Sequence, residues 1–499
     1  MSDTSNACLS LCQSQYGQFI NGEWATGDSG KTIDLMNPFN GQVLSRIAAG
    51  NSRDVERAVA AARGAFGSWS QSSPNERQEL LVEIARRLKN RLADYAMLET
   101  LNNGKPLRES LNFDLPQAIG QFELFAGAAF HLHGETQDYP DAIGLVHREP
   151  IGVCAQIIPW NVPLLMMASK IAPALAAGNT IVIKPAESVC LSIMEFFREM
   201  ADILPPGVVN VVTGYGADVG EPLVTHPDVR KVAFTGSVPT AQKIMQYASR
   251  NIIPQTLELG GKSAQIVCAD ADLEAAVEGA TMSTVLNKGE ICLAGSRLFL
   301  HESIQEEFLA RLKVSLEGIR LGDPTSIETQ MGPQASVMQR DKVSSYLELG
   351  LQEGASVVTG GSRASGAGLD QGNFIQPTIF SNVSNDMRIA QEEIFGPVTC
   401  AITFKDEDEV IRLANECKYG LAGGVWTQNI GAAHRIARGM QTGTVWINRY
   451  YNLRSGMPIG GYKQSGFGRE FCFDVLNHYT ITKSVIVNLQ DGPMGMYAQ

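Results

Sequence analysis

Apolar positions change their spacing twice along the 499-residue chain. Residues 18–50 carry short strand-like pieces separated by turns, and the pattern then becomes helical. Ser73-Pro74-Asn75-Glu76 reads as a capping box with proline at the first helical position. Leu80, Leu81, Ile84, Ala85 and Leu88 follow at helical spacing, so a long amphipathic helix is expected there. From residue 151 onward, uniformly apolar runs rich in β-branched residues alternate with helical stretches, at 151–158, 180–183, 208–212, 231–234 and 263–268. The alternation returns after residue 290, at 297–300, 356–359, 398–404, 423–426 and 443–447. Strands apolar on both faces and separated by helices predict an α/β fold of two parallel-sheet units in series. The boundary is expected near Leu259-Gly260-Gly261-Lys262, where a cleft would fit as well as a linker. Residues 490–499 read as a tail.

Composition narrows the function classes. With 44% hydrophobic and 18% charged residues the chain sits near globular averages, which excludes a disordered or fibrous protein. The formal charge of -12, from 40 basic and 52 acidic residues, supplies no basic footprint for nucleic acid and none for an anionic membrane surface. No apolar stretch reaches the roughly 18 residues of a membrane span, and the N-terminus lacks the basic start and apolar run of a secretory signal. A cytoplasmic setting is the resulting expectation. Nine scattered cysteines (Cys8, Cys12, Cys154, Cys190, Cys268, Cys292, Cys400, Cys417 and Cys472), with no C-x-x-C pair, predict reduced thiols and no zinc site. His131 and His133 alternate as on a strand, have no third ligand at metal spacing and read as surface or interface residues.

Candidate chemistry sits at the ends of the predicted strands. Gly214-Tyr215-Gly216-Ala217-Asp218-Val219-Gly220 has one residue too many for the dinucleotide fingerprint and reads equally as a plain turn. Phe234-Thr235-Gly236-Ser237 offers either a phosphate seat or a helix cap. Lys184 and Glu187 offer ribose contacts or a solvated ion pair. Cys292 lies in a small-residue turn between a helical stretch at 273–286 and a strand, where backbone amides can face an oxyanion; a buried structural thiol is the alternative. Glu258, flanked by leucines before a double glycine, is either a desolvated carboxyl with a pKa raised toward that of a general base or a strand residue facing solvent.

Taken together, these residues resemble one family. Pro159-Trp160-Asn161, Lys184 to Glu187, Phe234 to Ser237, Leu257 to Lys262, Gly289-x-x-Cys292, Glu392-Glu393-Ile394-Phe395-Gly396-Pro397 and the stretch from Gly460 to Glu470 occur in the order and spacing of the NAD(P)-dependent aldehyde dehydrogenases of the hydrolytic type. The resemblance spans roughly residues 18–489. It implies a Rossmann-like nucleotide domain (1–130 and 150–258) without the usual glycine fingerprint, a catalytic domain (259–470), and a small β oligomerisation arm with the C-terminal tail (131–149 and 471–499). A homodimer or homotetramer follows, with His131 and His133 near a subunit interface.

The resemblance also implies roles. The Cys292 thiolate would attack the aldehyde, Asn161 and the Cys292 N–H would hold the oxyanion, and Glu258 would activate the water that hydrolyses the thioester, with Lys170 and Glu470 supporting proton movement. For the cofactor, Lys184 and Glu187 match adenine-ribose contacts, Ser237 the pyrophosphate contact, and Glu393 and Phe395 the nicotinamide side; Ile157, Pro159, Trp160, Gly216, Gly236 and Leu259 complete the set. Glu187 would accept ribose hydroxyls and repel a 2′-phosphate, so NAD is expected, with NADP as the alternative that Lys184 tolerates.

Two departures from the family pattern bear on the substrate. Ser169 stands where many relatives place an aromatic, and Val162 replaces a common Phe. A wider tunnel is expected, lined by Val162, Leu165, Met166, Ser169, Ile291, Leu293, Tyr451 and Leu453, for a bulky, aromatic or medium-chain apolar aldehyde. The alternatives are an acidic semialdehyde read by Arg449 or Arg454, and a CoA-acylating enzyme, which Glu258 disfavours because transfer to a thiol needs no water-activating base. The intact set of Asn161, Glu258 and Cys292 counts against a non-enzymatic role. Glu290 would raise the thiol pKa if its carboxylate faced inward.

Overall fold

A computed structural model of the chain describes residues 12–366 and 368–497, so Cys8 lies outside the described residues. Eight strands form the first large sheet in the order Gly466–Phe467, Gln255–Glu258, Val229–Thr235, Val153–Ile157, Thr180–Lys184, Val209–Val211, Gln18–Ile20 and Glu23–Ala25. The middle five run parallel and the outer pairings are antiparallel. All five residues of Thr180–Lys184 are buried, as a strand covered by helices on both faces requires.

A second sheet holds Ser356–Thr359, Thr378–Ser381, Val398–Phe404, Arg297–His301, Ala264–Val267, Ala422–Trp426 and Thr444–Ile447 in that order. It is parallel except at its first pair. All ten strands expected beyond residue 150 are present, with ends that differ by no more than two residues. Thr378–Ser381 was not expected: it has only four residues, wedged between Pro377 and the left-handed Asn382 (φ 54°), too few to show a period.

Pro74–Asn90 is the long helix, and its capping box is closed by Ser73 N–H on Glu76 Oε2 (2.6 Å) and Glu76 N–H on Ser73 Oγ (3.2 Å). A separate antiparallel sheet of Thr480–Asn488, Ala142–Pro150 and Glu135–Asp138 stands out from the large sheets. His131 and His133 are not on one of its strands, since the chain at 131–134 has no regular structure. His131 instead stacks on Phe473, ring centroids 5.1 Å apart. Phe471, Val475, Leu476 and Tyr479 pack into the core beneath the first sheet, so the arm strand begins only at Thr480. Among the described residues no helix is long and apolar enough to cross a membrane.

The register of the first sheet positions the site. Ile157 is level with Lys184 and Phe234, and Thr235 with Glu258, so four strands end together at their carboxyl edge. Loops leaving such an edge are where parallel α/β sheets bind ligands. The chain then crosses from Glu258 to the Ala264–Val267 strand of the second sheet through residues 259–263, which places that edge against the second unit.

Candidate active site

Between the two units lies a cavity of about 230 Å³, and Cys292, Glu258 and Asn161 all line it. The Cys292 loop follows the helix Leu273–Val285 through an unusual backbone run: Asn287, Lys288 and Gly289 have φ of 48°, 60° and 71°. Only the third is a glycine, and a Cβ there would lie 2.1 Å from the Gly396 carbonyl oxygen. The two side chains hold the strained run in place. Asn287 Nδ2 donates to the carbonyls of Asn161 (3.0 Å) and Glu290 (2.9 Å), and buried Lys288 pairs with Glu290 (2.9 Å) and donates to the Asn103 carbonyl (2.9 Å).

Asn161 Nδ2 in turn donates to the Glu290 carbonyl (3.0 Å), leaving its second N–H for the cavity. The Glu290 carboxylate is committed elsewhere, to Lys288 and to the Ala335 N–H (3.0 Å). It therefore does not act on the thiol as its position two residues away had allowed. Burial pushes the Cys292 thiol up to about 12, helped by the carboxylates of Glu393 and Glu258; the N–H groups of Cys292 and Leu293 pull it the other way.

Glu258 is 8% exposed, and its Oε1 has no hydrogen-bond partner among the described residues. Burial holds its pKa well above the usual carboxylate range, and the nearby Glu470 charge adds to the shift while Lys170 opposes it. Behind Glu258, Lys170 Nζ donates to Glu470 Oε1 (2.6 Å) and to Thr235 Oγ1 (2.7 Å). Glu470 also lines the cavity. A carboxyl open to the cavity and backed by a buried Lys–Glu pair can take a proton and pass it inward.

The nucleotide side is built by Pro159, Trp160, Gly236, Ser237, Leu259, Glu393 and Phe395, all on the cavity wall. Glu393 accepts from the Gly261 N–H (2.9 Å), and a Cβ on Gly260 would lie 2.2 Å from its Oε2, so only glycine admits this carboxylate. Phe395, itself at φ 60°, meets Trp160 edge-on at 5.4 Å. Ser237 also caps the helix Val238–Ala248 through Thr240 N–H (3.4 Å), so the cap and the ligand seat coincide. These groups fit a dinucleotide: a buried carboxylate for ribose hydroxyls, a capped helix start for phosphate, and rings flanking a planar base.

Not every expected residue reaches the cavity. Ile157, Lys184, Glu187 and Gly216 lie outside it; Ile157 and Lys184 are level on adjacent strand ends, and Lys184 pairs with Glu187 at 3.2 Å. Gly216 opens a tight helical turn at 216–220, with open space where a Cβ would be. Ser169 is fully buried and does not widen the tunnel; its hydroxyl, with one proton to give, lies 3.1 Å from Glu470 Oε2 and 3.0 Å from the Met166 carbonyl, and the carboxylate is the stronger acceptor. Tyr451 is buried beside the wall and does not line the cavity. Val162, Leu165, Met166, Ile291, Leu293 and Leu453 do line it. Arg449 and Arg454 are exposed and off the wall, which removes the reason for reading an acidic aldehyde.

Motif spacing did not point to Phe113, Gln339, Lys342, Leu421, Ile459 or Phe471, which line the same wall. Gln339 and Lys342 lie one turn apart on the helix Val337–Gln352, and Gln339 Nε2 donates to the Phe395 carbonyl (2.5 Å). Their i,i+3 spacing was the available signal, but most surface helices carry polar pairs at that spacing.

Comparison with known proteins agrees with this geometry. The model of the aldehyde dehydrogenase family matches residues 24–485. An aldehyde dehydrogenase of Deinococcus radiodurans is 46% identical over 97% of this chain and 95% of its own length. The EPTC-inducible aldehyde dehydrogenase of Rhodococcus erythropolis is 44% identical over 99% of this chain and 98% of its own. Among solved structures, betaine aldehyde dehydrogenase of Staphylococcus aureus in complex with NAD+ superposes with a TM-score of 0.97 at 38% identity, covering 99% of both chains. The NAD+ complex of an aldehyde dehydrogenase from Bacillus cereus gives 0.94 at 41% identity, over 98% of this chain and 99% of that one.

Proposed function

The chain belongs to the aldehyde dehydrogenase family and is an NAD-dependent enzyme of aldehyde oxidation, and from that premise we propose that it converts a bulky apolar or aromatic aldehyde to the carboxylic acid by way of a Cys292 thioester. The observation that carries the reading is the meeting of Cys292, Glu258 and Asn161 on one cavity wall.

Cys292 Sγ, once deprotonated, forms a bond to the aldehyde carbon, and the carbonyl electrons move to oxygen. The free N–H of Asn161 and the Cys292 backbone N–H stabilise that oxyanion where it forms. Trp160, Ser237, Glu393 and Phe395 would hold NAD, which when bound would accept the hydride that leaves the adduct carbon as the C=O re-forms to give the thioester. Glu258 then removes a proton from water, the water oxygen bonds to the thioester carbon, and the C–S bond breaks to release the acid and restore the Cys292 thiolate, with the proton left on Glu258. The Glu470 carboxylate, held by the Lys170 ammonium, takes up the proton that Glu258 must shed before the next cycle. Lys184, level with Ile157 beyond the cavity, and Glu187, paired with it, take the adenine ribose in this reading, and Gly216 belongs to the same cofactor set.

The substrate reading rests on the apolar lining of the cavity that holds Cys292: Val162, Leu165, Met166, Leu293 and Leu453 offer hydrocarbon, and Phe113 and Phe471 offer rings. The outer arm strand exposes Ile481, Val485, Ile486 and Val487, an apolar edge that supports pairing with a second copy. NADH formation across short, long, aromatic and cationic aldehydes tests the substrate class, and acid rather than acyl-CoA as product with CoA present tests the hydrolytic step. Fastest turnover on a cationic or short aldehyde would overturn the substrate reading.

A further inference from the structure

A second, smaller cavity lies in the other unit, at the amino ends of the adjacent strands Ala264–Val267, Arg297–His301 and Ala422–Trp426. Lys262 and Arg297 both line it, each only 2% exposed. The Lys262 ammonium has no hydrogen-bond partner among the described residues. The Arg297 guanidinium donates only to neutral oxygens, the carbonyls of Lys262 (3.0 Å), Leu413 (3.1 Å) and Ala414 (2.7 Å) and the Asn385 side chain (3.2 Å). Among the described residues no carboxylate forms an ion pair with either; Glu393 and Glu416 act on them only from a distance. Thr442 Oγ1, also on this cavity, is buried and unpartnered.

Two cations buried side by side without a counter-charge are strongly unfavourable, and each raises the cost of the other. The cavity offers about 10 Å³, room for one water-sized species. We propose that this cavity binds a single monatomic anion of the halide class, chloride in ordinary buffers, held by Lys262 Nζ and the Thr442 hydroxyl in the field of Arg297. The site is too small for phosphate or sulfate. A negative charge there satisfies the orphaned ammonium and clasps the segments at 262–264, 414–422 and 440–442 that meet around it. The competing arrangement is an uncharged lysine amine over a water molecule, which would be indifferent to halide.

Two measurements on the full-length protein decide between these. Crystals grown in bromide should show an anomalous peak between Lys262 Nζ and Arg297; a featureless cavity alongside ordered bromide elsewhere overturns the proposal. In solution, exchanging gluconate for chloride or bromide at constant ionic strength should raise the unfolding midpoint by a few degrees, and Lys262→Met should abolish the halide response. An equal response in Lys262→Met overturns it. Should Lys262→Met not fold, Lys262→Gln takes its place, and the bromide map of the unmodified protein decides on its own.

Discussion

The Ser169 hydroxyl donates to Glu470 Oε2 at 3.1 Å while Lys170, the next residue, takes the other oxygen of the same carboxylate at 2.6 Å. Glu470 is thus gripped on both oxygens by consecutive residues of the helix Pro163–Ala176. Its charge is one of the causes that raise the Glu258 pKa.

Ser169→Ala should therefore change proton handling rather than tunnel width. Glu470, still ionised on Lys170, would lose the hydroxyl dipole that screens its charge, its push on Glu258 would grow, and the acid limb of the steady-state pH profile should move to higher pH. The lost hydrogen bond should cost about 1 kcal/mol of stability. KM for bulky aldehydes should stay within about twofold, an effect of less than 0.5 kcal/mol. A large KM change with an unmoved limb would return Ser169 to the substrate wall.

Glu258 carries the pH dependence of hydrolysis. Its pKa is raised by burial and by Glu470, so it is protonated, and useless as a base, up to a pH above the ordinary carboxylate range. Turnover should fall as pH drops through that raised value. Glu258→Gln should keep a burst of NADH in stopped flow and lose steady turnover by about 10²–10⁴-fold, the usual worth of a general base.

Cys292 should be a sluggish nucleophile toward alkylating agents in the cofactor-free enzyme. With the thiol pushed up to about 12, iodoacetamide labelling near neutral pH should be slower than that of an unperturbed cysteine and accelerate with rising pH. Glu393→Gln removes one of the two carboxylates that raise the thiol and should speed labelling. Mass spectrometry of the Cys292 peptide reads both effects.

Gly289→Ala should be severely destabilising. The residue has φ 71°, and the new methyl would stand 2.1 Å from the Gly396 carbonyl oxygen, so backbone must move. A loss above about 3 kcal/mol in urea unfolding is expected, as for other strained positive-φ sites with no space. Gly216→Ala, with no atom within 4 Å of the added methyl, is the matched control.

Strand ends and the motifs on them were legible because buried parallel strands leave continuous apolar runs whose ends are marked by polar or glycine residues. Glu258 and Cys292 could be singled out as candidates from their local surroundings, whereas Asn161 came only with the resemblance to the family. Side-chain direction was not legible. Ser169 was expected to face the tunnel, but its neighbour Lys170 is drawn to Glu470 and the serine hydroxyl turns to the same carboxylate. Glu290 was two residues from the thiol in sequence, yet Lys288 and the Ala335 N–H claim its carboxylate. Phe113, Gln339 and Lys342 reach the cavity only because distant helices converge there, which no local spacing encodes.

Asn287 Nδ2 joins the Asn161 carbonyl to that of Glu290, and Asn161 Nδ2 returns to the same Glu290 carbonyl. This clasp spans the loop leaving one sheet and the loop entering the other. Wide hinge-like gaping of the two units would have to unfasten both contacts that cross between them, Asn287 to the Asn161 carbonyl and Asn161 to the Glu290 carbonyl, at once. Traffic of cofactor and product must then rely on smaller adjustments at the rim, around Glu393 and Phe395, while sulfur and amide keep their mutual aim through every turnover.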